Sequence, residues 1–168
     1  MHTLLAQTSI MMKLEKDLKN IEQIAKQKEA ENISFHKYLK DLDAEKIDKI
    51  VYRLYERVRA QIDCRDCGNC CQNLRPIASY KELSKFVTDE NMESYMYLES
   101  MPCKHHKDKK CSDYLNRPEE CRLYPYLDEV NFITKAYSSL QNYAICPHVF
   151  NVLELLKIEL DWSYKKTS

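Results

Sequence analysis

The run Cys64-Arg-Asp-Cys67-Gly-Asn-Cys70-Cys71 places four thiols within eight residues. Two-residue gaps let successive thiolates turn inward around one small centre, with backbone amides directed at the sulfurs. Four further cysteines, Cys103, Cys111, Cys121 and Cys146, follow at longer intervals. Those gaps are too long for a local knuckle, so they predict a site closed across the chain, with residues 64–71 as its other half. Thiolate is the ligand that zinc and iron–sulfur clusters share. All eight cysteines are therefore candidate metal ligands.

Spacing does not choose between the two metals. An iron–sulfur cubane is wrapped by C-x2-C-x2-C and then by a more distant Cys-Pro. This chain has the first three positions, follows them at once with Cys71, and carries a Cys-Pro pair far downstream at Cys146-Pro147. Zinc ribbons use separate C-x2-C knuckles in pairs, whereas Cys67 here would belong to two knuckles at once. Adjacent Cys70 and Cys71 do not easily point at one ion. Two four-thiolate sites sharing the loop, or one polynuclear cluster with spare thiols, both satisfy the sequence.

Four thiolates around a doubly charged centre leave excess negative charge, which arginines neutralise through charge-assisted hydrogen bonds. Arg65, Arg75, Arg117 and Arg122 are close in sequence, and Arg117 is the strongest candidate because Pro118 fixes the backbone beside it. The sole glycine, Gly68, lies inside the first cysteine loop. A glycine there predicts a positive φ, or backbone passing close to metal or sulfur. His148, directly after Cys146-Pro147, is a candidate ligand or hydrogen-bond donor. His105 and His106 sit in the lysine-rich stretch KHHKDKK and read as a solvent-exposed loop tip.

Stepping outward from these residues, 168 residues with eight Cys and one Gly suit a single domain. At roughly 7% usage about twelve glycines would be expected. A chain so poor in glycine has few primed hairpin turns, so helices become the default. Lys+Arg and Asp+Glu balance at 26 each, which argues against a nucleic-acid footprint. With 31% charged residues and no long apolar run, no membrane span is expected. The N-terminus lacks a basic secretory region, and a helical chain of this length does not need disulfides, so a reducing cytoplasm with bound metal is the expectation. No P-loop, dinucleotide fingerprint or serine-nucleophile motif is present, and no βαβ pattern surrounds the C-x-x-C steps. The twelve Tyr read as packing residues, since no basic groove accompanies them.

The predicted fold is mainly α, a helical scaffold carrying an irregular cysteine-rich lobe. Residues 1–12 are expected to be poorly ordered, and 13–168 to form one domain: a helical part over 13–63, the cysteine lobe over 64–150 and a C-terminal helix over 151–168. Leu14, Leu18, Ile21 and Ala25 form one apolar stripe. Phe35, Tyr38, Leu39 and Leu42 mark a second short helix. Ile47 to Ile62 form the strongest amphipathic run, with Asp43 as its N-cap. Ser79 with Glu82 matches a capping box, residues 88–102 read as mixed structure, Pro118 opens a short helix, and Pro125 stops it. The stretch VNFITKAY alternates enough to predict a strand. Val149, Val152, Leu153, Leu156 and Leu160 recur at helical spacing.

C64RDCGNCC71 followed by C103…C111SDYLNRPEEC121RLYP125 resembles the YkgJ-like cysteine-cluster family, a zinc- or iron-chelating domain named for its CxxCxxCC motif. Its later pattern matches Cys111, Tyr114, Arg117, Pro118, Cys121, Arg122, Tyr124 and Pro125. The likeness covers about residues 60–150 and implies metal binding by the clustered cysteines, zinc or iron–sulfur. A flagellin lysine methylase carries a similar cluster, so some relatives assist protein modification, but the family label supplies no reaction. The expected function is an iron–sulfur protein in electron transfer or a redox-linked protein modification, working with a protein partner. The alternative is a non-catalytic zinc-binding structural or interaction module.

Overall fold

A computed structural model describes residues 13–74, 88, 103, 105–117 and 119–165. The expectations for residues 1–12, for the capping box at Ser79 and Glu82, for residues 89–102 and for Pro118 lie outside the described residues.

The first three helices form on the predicted apolar stripes, with Leu14, Leu42 and Ile62 falling just outside them. Helix α1 spans Leu18–Gln27, and the Asp17 carboxylate caps it by accepting from the Lys19 and Asn20 amides. Helix α2 spans Glu29–Leu39 and buries Asn32, Phe35 and Leu39. Helix α3 spans Ala44–Arg59; Asp43 caps it through the Lys46 amide, as predicted, and Ile47, Val51, Leu54, Tyr55 and Val58 turn inward. After a 3-10 turn at Cys64–Asp66, a one-turn helix α4 spans Asn69–Asn73. Strands β1 (His106–Lys107) and β2 (Lys110–Cys111) make an antiparallel hairpin. Helix α5 spans Glu119–Leu123, α6 Phe132–Gln141 and α7 Pro147–Glu159.

The C-terminal helix α7 is the axis of the scaffold. Almost every residue from Pro147 to Lys157 is buried, the signature of a helix surrounded by others. Its most extensive partner is α3, and α6 packs on α3 and α2. The fold class is mainly α, with one two-stranded hairpin as its only sheet among the described residues. No helix among the described residues is long and apolar enough to cross a membrane.

Two local expectations are corrected. VNFITKAY is not a strand: from Phe132 onward it is α6, burying Phe132, Ala136 and Ser139 at spacings of four and three. Its first amides are capped from α3, whose Asp48 carboxylate accepts from the Asn131 and Phe132 amides at 2.8 Å each. The KHHKDKK stretch is not a plain loop tip but contains the hairpin. Its two-residue turn uses Asp108 (φ 49°) and Lys109 (φ 63°), the positive-φ pair that a primed turn needs, here made without glycine.

One buried charge locks α7 to α2. Lys157 is 4% exposed, and its Nζ donates to Glu31 Oε1 (2.8 Å), Asn32 Oδ1 (2.6 Å) and Glu154 Oε1 (2.7 Å). The rings of Phe35, Tyr143 and Trp162 stand 5.6–6.0 Å from it. Removing one partner of such a group strands the other, so K157M is expected to cost about 3–5 kcal/mol in urea denaturation. Burial alone would raise the Glu154 carboxyl, but hydrogen bonds from Lys157, Lys28 and Tyr143 hold it below its ordinary value. Its folded pKa is thus below the unfolded one. Its contribution is complete above the unfolded carboxylate pKa and is lost as pH falls through the folded value. E154Q should flatten the acid limb of the stability–pH curve; an unchanged slope would remove Glu154 from that role.

Candidate metal centre

The cysteine loop starts from a rigid base. Ile62, just past α3, is buried, and its carbonyl accepts from His148 Nε2 at 3.0 Å. The end of α3 is thereby tied to the start of α7, and Cys64 Sγ lies 3.8 Å from His148 Nδ1. Asp63 caps the 3-10 turn through the Arg65 amide at 2.8 Å. Its hydrogen bonds from Arg65 hold the Asp63 carboxyl down at about 2.

Gly68 then adopts φ +61°, and a Cβ there would stand 2.4 Å from the Lys109 carbonyl oxygen and 2.8 Å from His106 Nε2. The positive φ agrees with the sequence reading; the close approach is to the hairpin backbone. Lys110 reaches Asp66 across the same junction at 3.6 Å. Helix α4 is pinned on both sides: Asn69 Nδ2 donates to the Ile145 carbonyl at 2.8 Å, and the Cys103 amide donates to the Cys71 carbonyl at 2.9 Å. In the hairpin His106 pairs with Cys111.

Arg117 links the Tyr114 ring to the backbone of Cys121. Its guanidinium lies 3.6 Å from the centre of the Tyr114 ring, its Nε donates to the Tyr114 carbonyl at 3.0 Å, and its Nη1 donates to the Cys121 carbonyl at 3.4 Å. Its charge favours the thiolates of Cys64, Cys71 and Cys121. Arg65 stacks on the same ring more distantly, 5.7 Å from its centre. Arg122 is exposed, and Arg75 lies outside the described residues.

All eight cysteines are free thiols; only Cys146, at the N-cap of α7, is buried. Burial pushes the Cys146 thiol up to about 12. Cys64 is exposed as a residue, but its sulfur faces His148, and the desolvation there, reinforced by Cys67, pushes its thiol up to about 11. Burial does the same to Cys121, to about 11, reinforced by Cys71, Cys103 and Cys111. Burial also raises Cys103, with Cys71 and Cys111 adding to the effect. The adjacent pair splits. Hydrogen bonding from Cys70 lowers Cys71 to about 7, and the same bond, with burial, drives Cys70 strongly up. Cys71 is therefore the more readily formed thiolate of the adjacent pair.

The sequence marks His106 as exposed and Tyr124 as a match to the family pattern with no role of its own. Both carry a buried polar atom without a hydrogen-bond partner of regular geometry: His106 Nε2 and Tyr124 Oη, the latter still interacting with the Cys146 thiol. The His106 side chain is only half-exposed because the hairpin folds back onto Gly68. Tyr124 sits among the thiols of Cys146, Cys70 and Cys64, which, after burial, raise its phenol well above the ordinary value. Unpaired buried groups are uncommon and call for a reason. A cluster of anionic sulfurs would supply Tyr124 with an acceptor. Among the described residues no three His, Cys, Asp or Glu side chains converge in the arrangement of a ready-made ion site. What fits zinc or iron is the donor chemistry: soft sulfur throughout, a guanidinium nearby, and an unpaired hydroxyl donor beside the thiols.

A family model described as "CxxCxxCC: putative zinc- or iron-chelating domain" matches residues 63–147, about half of the chain. No curated protein and no solved structure matches the chain.

The Gly68 junction yields a prediction. G68A must both hold a side chain at positive φ and displace a backbone carbonyl, which is expected to cost about 1–3 kcal/mol. The hairpin should lift, seen as faster alkylation of Cys111 with little change in far-UV circular dichroism. Unchanged Cys111 reactivity would mean that the hairpin does not depend on this contact.

Proposed function

Since the chain belongs to the CxxCxxCC family, whose domain is described as zinc- or iron-chelating, we propose that its eight cysteines hold thiolate-ligated metal and that this metal ties the cysteine lobe together. The supporting observation is that the described part of the lobe shows no apolar core. Between Cys64 and Tyr126 only Gly68 and Pro125 are buried among the described residues, and the buried hydrophobic side chains among them lie at or before Ile62 or from Leu127 onward. Segments held with little apolar burial are commonly cross-linked by metal or disulfide. Seven of the eight cysteines lie in that same span, and the eighth, Cys146, closes it from the scaffold.

The first reading is an iron–sulfur centre serving electron transfer or a redox-linked protein modification. A bound cluster supplies one-electron exchange. In this reading the partly exposed cysteines bring the centre within reach of a protein partner, Arg117 offsets the thiolate charge, and Cys71 is the thiol that loses its proton most readily. The second reading is a zinc-held structural or interaction module. It is favoured by the origin of the thiols in separate segments (residues 64–71, the hairpin, α5 and the start of α7), since zinc in a closed four-thiolate site is a cross-link without redox chemistry.

Anaerobic purification with metal analysis and a visible spectrum separates the two. Brown protein with iron and labile sulfide is the expected result; colourless protein with stoichiometric zinc would transfer the assignment to the second reading. Under either, metal removal by a chelator should make the lobe protease-sensitive while far-UV circular dichroism keeps most of its helical signal, because α1–α3, α6 and α7 have their own core. A lobe equally resistant with and without metal would defeat the proposal.

A further inference from the structure

Residues 62–64 grip both nitrogens of one imidazole. The Ile62 carbonyl accepts from His148 Nε2 at 3.0 Å, and Cys64 Sγ lies 3.8 Å from Nδ1 of the same ring. His148 is 2% exposed, Tyr55 of α3 meets its ring edge-on at 5.8 Å, and Pro147 before it opens α7. The scaffold therefore sets the orientation of this ring. A carbonyl only accepts, so the proton sits on Nε2 and Nδ1 presents a lone pair. Metal-ligating imidazoles are commonly fixed in this way, with the far ring N–H given to a backbone carbonyl. Once Cys64 is a thiolate, two lone-pair donors face each other, and a cation between them reconciles the pair. Sulfur at about 2.3 Å and imidazole nitrogen at about 2.05 Å from one tetrahedral ion stand about 3.6 Å apart. The observed 3.8 Å lies within about 0.2 Å of that spacing.

Resting on the metal-binding reading above, we propose that His148 is itself a metal ligand: its Nδ1 shares an ion with Cys64 Sγ, while its Nε2–H holds the ring to the Ile62 carbonyl. Among the described residues no third His, Cys, Asp or Glu joins the two in a ready-made site. The pair is thus the fixed start of the site, a buried nitrogen held by the scaffold beside an exposed cysteine, and the remaining ligands close on it when metal binds. A neutral imidazole brings no charge where a further thiolate would bring one, which suits a ligand packed against the apolar core. In an iron–sulfur centre, imidazole in place of thiolate raises the reduction potential.

Cadmium(II) with a magnetic nucleus tests the pair on the full chain, because it splits the NMR signal of any nitrogen bonded to it. The reduced apoprotein, carrying isotope-labelled histidine, is loaded with this ion. The His148 Nδ1 signal, assigned by its loss in H148Q, should be split by cadmium while Nε2 keeps its proton. H148Q still offers an amide donor towards the Ile62 carbonyl but no ring nitrogen towards Cys64. It should bind cadmium more weakly by roughly tenfold or more in competition with a chelator, with its far-UV circular dichroism unchanged. An unsplit Nδ1 in unmutated protein whose ultraviolet thiolate–cadmium band shows the metal bound would overturn the assignment. So would a protonated Nδ1, which would make His148 a hydrogen-bond donor to the Cys64 sulfur. Protein with no thiolate–cadmium band at all would instead sink the metal-binding reading itself, and this ligand with it.

Discussion

The hydrogen bond between His148 and the Ile62 carbonyl fixes where the cysteine lobe begins. A carbonyl only accepts, so Nε2 carries the proton and Nδ1 is left as the acceptor facing Cys64. Burial lowers the imidazole's affinity for a second proton, which keeps this arrangement neutral and compatible with the apolar surroundings. Tyr55 of α3 closes over the ring edge-on at 5.8 Å. Because α3 and α7 are the scaffold's principal packed pair, this one contact sets Cys64 beside Cys146 although they are far apart in the chain.

Everything in the lobe is then referred to that base. The 3-10 turn places Cys64 and Cys67, Gly68 reverses the chain at positive φ, and α4 presents Cys70 and Cys71 in succession. Asn69 holds α4 to the scaffold while Cys71 holds the segment carrying Cys103. The glycine is needed here because the hairpin backbone approaches where a side chain would be. The sole glycine therefore stands where the hairpin backbone leaves no room for a Cβ.

The scaffold was legible where periodicity is self-contained. Helices α1, α2, α3 and α7 announce themselves because their apolar stripes and, for α3, the capping Asp43 lie within or beside the element. Helix α6 was hidden because Val130, Phe132, Thr134 and Ala136 fall at alternate positions, two of them β-branched, and because its cap is Asp48, contributed by α3. The hairpin was hidden because Asp108 and Lys109 take the conformations usually given to glycine. In the site, the donor residues and Arg117 could be read from type and spacing. Their neighbourhoods could not, since those depend on how α4 is pinned between two lobes of chain. Nor could the burial of His106 Nε2, which follows from the hairpin folding back onto Gly68.

Stability and chemistry are consequently held by different forces. The scaffold has an apolar core and a buried lysine network, Lys157 with Glu31, Asn32 and Glu154, that specifies how α2 meets α7. The described residues of the lobe show neither, and among their ties are backbone hydrogen bonds, the Asp66–Lys110 pair and the Tyr114–Arg117 stack. Cys146 belongs to both regions. It caps α7, is 6% exposed within the core, and has its sulfur beside Tyr124 and Cys64. A change in charge at that sulfur acts at the N-terminus of the central helix, where the helix dipole favours an anion. In the bare thiol burial outweighs that help and holds Cys146 protonated, so negative charge at this sulfur needs a further positive partner.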